Sequence, residues 1–447
     1  MMNKPKSRRT ATLAALLAAH TALAVALGSA AHAAPSTERV SVNSAELQAD
    51  GGSVTPAVSN DGSFIAFTSG ATNFHGGPHN NSNEVYVRDK VRGATELVSK
   101  ASSGHLANGR SLAPAISGDG QIIAFQSRAS NLAAGDTNAA DDIYVHDRST
   151  AITTLVSVSV NGAAGNDASS DPAVSDDGRY IAYASEASNL VSGDTNNTTD
   201  VFVYDRVNRT TTRASIGTTG GQGTGPSQNP SISRNGQQVA FESAAPNLIA
   251  RADTNGFVDV FVGSRTGVQF RASQSNLGAE GNNTSRNPAI SSDGSAVAFD
   301  SRASNLVNGD TNGRADVFHH TLGNRETIRV SNGNSSSVNN DPANGESSQP
   351  SINATGRVVA FHSTATNLVS GDTNGSVQDV FVTNLDRPRG AQNTLASVSA
   401  GGGSGNAASA QASLSGNSQV VAYHSTASNL VAGDTNGKID VFGRAFQ

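Results

Sequence analysis

The amino-acid sequence predicts an all-β protein, a single seven-bladed β-propeller of four-stranded blades in which an N-terminal strand completes the last blade. The first observation is a segment, Ser-Asn-Leu-Val-x-Gly-Asp-Thr-Asn-Gly-x-x-Asp-Val-Phe-Val, that recurs with small changes from Ser130 to the C-terminus, with a degenerate copy at residues 71–87. The second is a proline that recurs every 58 and later every 62 residues, with alanine in the last copy: Pro56, Pro114, Pro172, Pro230, Pro288, Pro350 and Ala412. The third is a serine of nearly the same period: Ser41, Ser99, Ser157, Ser215, Ser273, Ser331 and Ser397. Self-similarity over such a period is typical of propellers and solenoids.

Each repeat contains four short strand patterns. In residues 172–217 they are Pro-Ala-Val-Ser, Tyr-Ile-Ala-Tyr-Ala-Ser, Asp-Val-Phe-Val-Tyr-Asp and Thr-Thr-Arg-Ala-Ser. An Asp-Gly or Asn-Gly pair separates the first two patterns in most repeats, and such pairs favour tight hairpin turns because these turns need positive φ. Four strands per unit of this length are typical of a propeller blade.

The two ends of the chain predict how the ring closes. The last repeat ends at residues 440–443 and has no fourth strand of its own. Residues 37–42 match the fourth-strand pattern of residues 95–99 in register. We therefore expect the N-terminal segment to form the outer strand of the last blade, which removes an exposed sheet edge.

Residues 1–33 have the pattern of a signal peptide: four basic residues, an Ala/Leu-rich stretch at residues 11–27, and Ala31-His32-Ala33 before the cleavage point. An uncleaved membrane anchor is the alternative, but an alanine-rich stretch with His20 is a poor spanning helix. The propeller then occupies residues 34–447, and we expect a secreted or periplasmic monomer with no membrane insertion after cleavage. Arg8-Arg9 leaves both the general secretory and the twin-arginine export routes open.

Charge and composition exclude several classes of function. Removal of the signal peptide takes the net charge from −6 to −10, which makes nucleic acid an unsuitable partner. The chain has no cysteine, so disulfides and Cys-based zinc sites are excluded. The sequence also lacks the nucleophile elbow Gly-x-Ser-x-Gly, His-Glu-x-x-His and phosphate-loop motifs.

The repeat resembles that of a known family. Pro-x-Ile-Ser-x-Asp-Gly-x-x-Ile-Ala-Phe-x-Ser followed by Asp-Val-Phe-Val-x-Asp is similar to the TolB-type, WD-like propeller repeat of bacterial exported proteins, over essentially the whole mature chain. TolB proteins usually have six blades and an additional N-terminal α/β domain, whereas seven repeats fill this chain. The resemblance implies a propeller fold and export, and it does not carry a role in the Tol system.

The long loop of six repeats contains the pattern Asp-x-Asn-x-x-x-Asp, with one extra residue in the fifth copy. Its members are Asp136, Asn138 and Asp142; Asp194, Asn196 and Asp200; Asp253, Asn255 and Asp259; Asp310, Asn312 and Asp316; Asp372, Asn374 and Asp379; and Asp434, Asn436 and Asp440. Oxygen ligands on a tight loop suit Ca²⁺, and the pattern is similar to the calcium loops of FG-GAP propellers, although it lacks their third acidic position. The alternative is that these residues form Asx-type turns without a metal. The first repeat has only Glu84 at the closing position and is expected to bind no metal.

The position before the last serine of the second strand varies from repeat to repeat and carries ionisable groups in four consecutive blades: Glu242, Asp300, His362 and His424. This is the best enzyme-like group in the chain, although polar residues at strand ends are usually solvated. A serine three residues before each proline is expected to form a hydrogen-bonding ring near the channel mouth, just before an inner strand that starts at the proline: Ser53, Ser111, Ser169, Ser227, Ser285, Ser347 and Ser409.

Two hypotheses of function follow from these patterns. The leading one is an exported non-enzymatic scaffold that binds a protein or glycan through the face bearing the long loops, with Ca²⁺ in those loops as a possible cofactor. Its basis is repetition without an exceptional site. The alternative is a polysaccharide-active hydrolase or lyase whose catalytic groups are the four irregular residues at the channel mouth.

Overall fold

The computed structural model describes residues 35–75, 82–250, 253–334 and 341–446, and the regular elements in these ranges are all β-strands. The predicted signal peptide, residues 1–33, lies outside the described residues. Within the described ranges no helix is long and apolar enough to cross a membrane. The strands form seven four-stranded antiparallel sheets, which confirms the predicted seven-bladed propeller.

Strands are numbered in chain order, and β1 is Thr37–Arg39. Blade 1 contains β2 Ser53–Val58, β3 Phe64–Ser69, β4 Glu84–Asp89 and β5 Ala94–Leu97. Blade 2 contains β6 Ser111–Ile116, β7 Ile122–Ser127, β8 Asp142–Asp147 and β9 Ile152–Leu155. Blade 3 contains β10 Ser169–Val174, β11 Tyr180–Ser185, β12 Asp200–Asp205 and β13 Thr210–Arg213. Blade 4 contains β14 Ser227–Ile232, β15 Gln238–Ser243, β16 Asp259–Ser264 and β17 Gly267–Arg271.

Blade 5 contains β18 Ser285–Ile290, β19 Ala296–Ser301, β20 Asp316–Thr321 and β21 Thr327–Arg329. Blade 6 contains β22 Ser347–Ile352, β23 Val358–Ser363, β24 Asp379–Asn384 and β25 Asn393–Leu395. Blade 7 contains β26 Ser409–Leu414, β27 Val420–Ser425 and β28 Asp440–Ala445, with β1 as its outer strand.

The tight turns between the first two strands of each blade depend on glycine for two reasons. Gly178 has φ 68°, a left-handed conformation that glycine adopts without a steric penalty. A Cβ at this position would also lie 2.5 Å from the side chain of Ile122 in the preceding blade. The Asp-Gly signal therefore sets both the turn and the close approach of neighbouring blades.

The hydrophobic core lies between blades as well as within them. One cluster joins Tyr180, Ala182 and Val201 of blade 3 to Val239 and Phe241 of blade 4. Within a blade, aromatic rings of the second and third strands stack, as Tyr183 does on Phe202 with ring centroids 6.0 Å apart. Each sheet thus buries both faces against its neighbours, which accounts for the nearly continuous apolar runs in the second and third strands.

The inner strands start earlier than the sequence indicates. Each begins at the serine three residues before the proline position, and a register shift follows, because the residue before the proline position has positive φ. In blade 3 this residue is Asp171, with φ 53°. The strand continues on both sides of this bulge. Each of the seven predicted serines is buried and hydrogen-bonds the last serine of the second strand at 2.8 to 3.0 Å.

The ring closes as the termini predict. Residues 37–39 pair antiparallel with β28, with Arg39 opposite Phe442, and the Val40 amide donates to the Val441 carbonyl at 2.8 Å. At the face of the short turns, backbone hydrogen bonds join successive blades: the Gly118 amide donates to the Asp176 carbonyl at 3.0 Å, and the Asn417 amide donates to the Asn60 carbonyl at 3.0 Å. The second of these bonds joins the last blade to the first.

Candidate functional site in the long loops and the channel

Strand direction places two long segments of each blade at the same face. The loop between the second and third strands and the connection into the next inner strand both lie at this face, since all neighbouring strands are antiparallel. We call it the long-loop face, and the opposite face, with the Asp-Gly turns, the short-turn face. All six Asp-x-Asn loops belong to the long-loop face.

The last aspartate of each loop begins the third strand and is fully buried. Its Oδ1 accepts a hydrogen bond from a serine hydroxyl at 2.5 to 2.6 Å. That serine is the one that recurs through the sequence from Ser41 to Ser397. The donor and acceptor pairs are Ser157 and Asp142, Ser215 and Asp200, Ser273 and Asp259, Ser331 and Asp316, Ser397 and Asp379, and Ser41 and Asp440. The serine also accepts from a backbone amide, as from Val201 at 3.1 Å. The period of these serines is visible in the sequence, but their aspartate partner is not.

The asparagine of the loop joins the aspartate to the next connection. Asn196 Nδ2 donates to Asp200 Oδ2 at 2.8 Å and to the Gly223 carbonyl at 2.9 Å. Blades 4, 5, 6 and 7 repeat both bonds. In blade 2, Asn138 donates to the Gly165 carbonyl at 2.7 Å. These bonds agree with the turn interpretation of the loops, since they need no metal.

Arginines that the sequence analysis missed lie beside four of the loops. Arg213 Nη1 lies 3.0 Å from Asp194 Oδ1 and 3.0 Å from Asp200 Oδ2, and all three side chains are at most 5% exposed. Arg271 Nη1 makes the same bridge in blade 4, at 3.3 Å to Asp253 and 2.9 Å to Asp259. In blades 5 and 7 the cations are Arg329, 3.5 Å from Asp310, and Arg39, 3.4 Å from Asp434 and 3.7 Å from Asp440. The sequence does contain a signal for these contacts, which is an arginine at the end of the outer strand in four of the seven repeats.

The arginines restrict the predicted calcium sites to the loops that have no arginine beside the aspartates. In blades 3, 4 and 7 the guanidinium lies between the two carboxylates, where a shared cation would have to lie, and in blade 5 Arg329 lies beside Asp310. Blades 2 and 6 have Leu155 and Leu395 at the arginine position, so the prediction continues to apply to these two loops. In the described part of the chain, no group of three or more His, Asp or Glu side chains is placed to hold a metal ion. In the first repeat, residues 76–81 of the loop lie outside the described residues.

Burial changes the protonation of the loop aspartates. It raises the pKa of Asp142 and of Asp379 to about 6, against the opposing effect of hydrogen bonds from Ser157 to Asp142 and from Ser397 and Asn374 to Asp379, and of the nearby Asn138 amide. Asp316 has its pKa raised to about 6 by burial as well, although Arg329 opposes the shift. A carboxylate in these loops is therefore costly to ionise unless a cation or donors compensate it.

The channel is lined by the residues of positive φ and the proline position that follows each of them. They surround a cavity of about 320 Å³ whose polar members are Thr55, Asp171, Asn229, Asn287, Gln349 and Gln411. The four predicted catalytic candidates lie on the adjacent second strands. Two of them connect neighbouring blades.

Glu242 and Asp300 accept hydrogen bonds from the bulge of the next blade. Glu242 accepts from the backbone amide of Asn287 at 2.8 Å and from the side chain of Gln228 at 3.0 Å. Asp300 accepts from the Asn287 side chain at 2.8 Å and from the backbone amide of Gln349 at 3.0 Å. Asn287 thus brings the two carboxylates together, and each has a structural partner across a blade interface.

His362 and His424 occupy the same position in blades 6 and 7. His362 Nε2 lies 2.8 Å from the Ser348 hydroxyl. Burial lowers the pKa of both histidines to about 4, and the nearby His424 contributes to the shift of His362. Both rings are therefore neutral at pH 7, as a general base would require, but a catalytic role for these four residues stays a prediction.

Asp300 makes the stability of the protein depend on pH. Burial raises the pKa of Asp300 to about 6, so between about pH 4 and pH 6 the folded state holds a proton that the unfolded state has lost. The contribution of this group to stability falls as pH rises through that window and is constant above it. Both hydrogen bonds end on Oδ1, so Asp300→Asn keeps them. We expect the variant to gain on the order of 2 kcal/mol over the wild type between pH 4 and pH 7.5 in urea unfolding.

Asp293 provides a control with the opposite sign. Although burial opposes it, hydrogen bonds from Ser291 and Ser295 lower the pKa of this exposed turn carboxyl. The contribution of ionised Asp293 to stability is present above the unfolded pKa and is lost as pH falls. Asp293→Asn should therefore be less stable than the wild type near pH 7, and this difference should shrink at acidic pH. Equal pH profiles for wild type and Asp300→Asn would contradict the assignment.

The fold and its repeated loops define a seven-bladed β-propeller with four antiparallel strands in each blade. No protein-family model and no curated protein sequence matches the chain. Among solved structures, the chain is similar to oligogalacturonate lyase from Vibrio parahaemolyticus, at 12% identity over 92% of this chain and 97% of that chain, with a TM-score of 0.51. It is also similar to the β-propeller domain of the Trilobed protease from Pyrococcus furiosus, at 12% identity over 84% of this chain and 91% of that chain, with a TM-score of 0.50.

A third similar structure is a putative TolB from Agrobacterium tumefaciens. It shares 14% identity over 79% of this chain and 94% of that chain, with a TM-score of 0.40. At these identities the comparisons show a β-propeller and assign no activity. The finer TolB-like assignment stays a prediction.

Proposed function

We propose that the mature chain is an exported, non-enzymatic scaffold that binds a protein or a glycan through its long-loop face. Calcium is part of this proposal only for loops in which no arginine separates the carboxylates. The export element rests on the signal-peptide pattern of residues 1–33.

The observation that carries the proposal is a set of hydrogen bonds that fixes the long loops to each other within five of the seven blades. In blade 3 the Asn166 amide donates to Asn189 Oδ1 at 3.0 Å, Asn166 Nδ2 donates to Ser188 Oγ at 3.0 Å, and the Ser188 amide donates back to Asn166 Oδ1 at 2.9 Å. Blades 2, 5, 6 and 7 repeat all three bonds. These groups are exposed, so the face presents ordered polar loops to solvent.

An ordered polar face favours binding, because little conformational entropy is lost when a partner contacts it. It also offers many amide and hydroxyl groups in a repeated arrangement, which suits hydrogen bonding to a glycan or to a polar protein surface. Of the four residues that break the repeat, Glu242 and Asp300 are engaged in hydrogen bonds between blades, and His362 bonds Ser348 of its own blade. The structural hydrogen bonds of the two carboxylates favour a scaffold over the hydrolase or lyase alternative.

Arginine substitutions on the two faces test the proposal. Ser192 and Asn308 are equivalent exposed residues of the long loops in blades 3 and 5, and Val91 and Val207 are exposed residues of the short-turn face, at 80% and 69%. We expect Ser192→Arg with Asn308→Arg to reduce capture of the partner at least about tenfold, which is about 1.4 kcal/mol. The matched pair Val91→Arg with Val207→Arg should bind as the wild type does.

The readouts are a glycan array and crosslinked capture from envelope or culture fractions, both at micromolar protein. If the wild type binds nothing in either, or if the short-turn-face pair weakens binding equally, the proposal fails. If alanine at Glu242, Asp300, His362 and His424 abolishes a polysaccharide-cleaving activity of the folded protein, the enzyme alternative replaces it.

A further inference from the structure

We propose that blade 2 binds a divalent cation, Ca²⁺ by its donor chemistry, between Asp136 and Asp142, at the position that an arginine occupies in blades 3 and 4. This deepens the calcium part of the proposed function and rests on it. Partner binding by the long-loop face is a separate claim, and each can fail while the other holds.

The residue that distinguishes blade 2 from blade 3 lies at the end of the outer strand. In blade 3, Arg213 stands opposite Phe202 in the sheet, and its Nη1 bridges the two loop carboxylates at 3.0 Å each. In blade 2, Leu155 stands opposite Tyr144 at the same register. Blade 2 therefore keeps both carboxylates and lacks the cation.

The carboxylate oxygens that the arginine would bridge have no hydrogen-bond partner in blade 2. Asp142 is fully buried and Asp136 is 8% exposed. Asp142 Oδ2 and Asp136 Oδ1, which correspond to the atoms bound by Arg213 in blade 3, accept no hydrogen bond of normal geometry, since the nearby Asn138 amide donates to the Gly165 carbonyl instead. Two buried, unpartnered oxygens at equivalent positions point to a shared ligand.

The other neighbours provide no compensating charge. Ala164 pairs with Val158 where, in blade 3, Gln222 pairs with Ile216, and Gln222 is a third partner of the arginine. Tyr144 donates its hydroxyl to Asp136 Oδ2, which satisfies one oxygen but remains neutral. An ionised pair of aspartates here has a charge of −2, which a divalent cation neutralises and which burial makes costly without one.

Calcium fits the donor set better than a transition metal does. The ligands are hard oxygens, and Ca²⁺ accepts carboxylates, backbone carbonyls and water at about 2.3 to 2.6 Å. Taking blade 3 as the geometric guide, the two oxygens would move inward by about 0.5 Å from the positions that contact the arginine. With only two carboxylates, we expect an affinity in the range of extracellular calcium modules, about 10⁻⁴ to 10⁻³ M.

Blade 6 lacks the arginine as well, but its loop aspartates are better satisfied. Asp379 Oδ2 accepts from Asn374 at 2.7 Å, and Asp372 Oδ1 accepts from Ser404 at 3.3 Å. One oxygen, Asp372 Oδ2, remains unpartnered there. Blade 2 offers a free oxygen from each carboxylate, so the proposal is made for blade 2.

The test is the thermal midpoint of the mature chain in EDTA and over a CaCl₂ titration to about 10 mM, with MgCl₂ and NaCl at matched ionic strength. We expect the midpoint to rise by a few degrees over the titration, and to keep rising with the logarithm of the calcium concentration above the dissociation constant, because the ion binds only the folded state. Isothermal titration calorimetry should give one site per chain.

Two variants assign the effect to blade 2. Leu155→Arg supplies the arginine of the other blades and should abolish the calcium-dependent rise. Asp142→Asn should also abolish the calcium-dependent rise. This variant replaces Leu155→Arg in the test if Leu155→Arg does not fold. Asp194→Asn, in the arginine-containing loop of blade 3, is the matched control and should keep the rise.

Two results would overturn the proposal. One is a wild-type midpoint that does not change with calcium beyond the effect of ionic strength. The other is a calcium-dependent rise that persists in Leu155→Arg or in Asp142→Asn, since the ion would then bind elsewhere. In either case capture by the long-loop face can still be measured, so its outcome is independent.

Discussion

Replacing Arg213 by alanine is expected to lower the free energy of unfolding by about 3 to 5 kcal/mol, because it leaves two buried carboxylates without their cation. The side chains of Arg213, Asp194 and Asp200 are 5%, 4% and 0% exposed, and Nη1 bridges the two aspartates at 3.0 Å each. Removing one charge from a buried ion pair destabilises the folded state by more than the intact pair stabilises it, because the remaining charges stay desolvated. Urea unfolding at pH 7 in EDTA measures the loss without interference from bound cations.

Two further variants separate the buried charge from a general effect of arginine. Arg234 is 69% exposed, with Nε 4.0 Å from Asp176, so Arg234→Ala should change stability by less than about 0.5 kcal/mol. Adding Asp194→Asn and Asp200→Asn to Arg213→Ala should recover part of the loss, because it removes the unpaired charges. A loss below about 1 kcal/mol for Arg213→Ala would show that the carboxylates are solvated or protonated.

The contact of Arg213 with the loop aspartates could not be predicted from the sequence. The repeat identified the aspartates because they share one loop, whereas Arg213 lies 13 residues after Asp200 on another strand. Only the pairing of the outer strand with the third strand brings the guanidinium to the loop. The recurrence of arginine in four repeats was visible, but its partner depends on packing in three dimensions.

The architecture was easier to predict than the chemistry, since it depends on local patterns that repeat seven times. The Asp-Gly turns, the apolar strands and the register of residues 37–39 each specify a local pairing, and the structure has all of them. The irregular residues are different. Glu242 and Asp300 look like solvated strand-end groups, but the bulge of the next blade brings a backbone amide to each of them.

Removal of the N-terminal strand, in a chain that begins at Asn43, is expected to have the second large effect. It removes the buried Val40, the hydroxyl of Ser41 that donates to Asp440, and the guanidinium of Arg39 beside Asp434. Burial of a valine contributes about 1.5 to 3 kcal/mol, and the loss of a buried cation costs about 3 to 5 kcal/mol more. We therefore expect a loss above about 5 kcal/mol in urea unfolding.

The same deletion should change the state of association, because β28 becomes an edge strand with unpaired backbone groups. Light scattering should detect oligomers that a synthetic peptide of residues 35–42 disperses as it restores the thermal midpoint. A chain that begins at Thr37 keeps the strand and is the control. Unchanged stability without residues 34–42 would mean that the backbone bonds of the short-turn face, such as that from Asn417 to Asn60, suffice to hold blade 7 against blade 1.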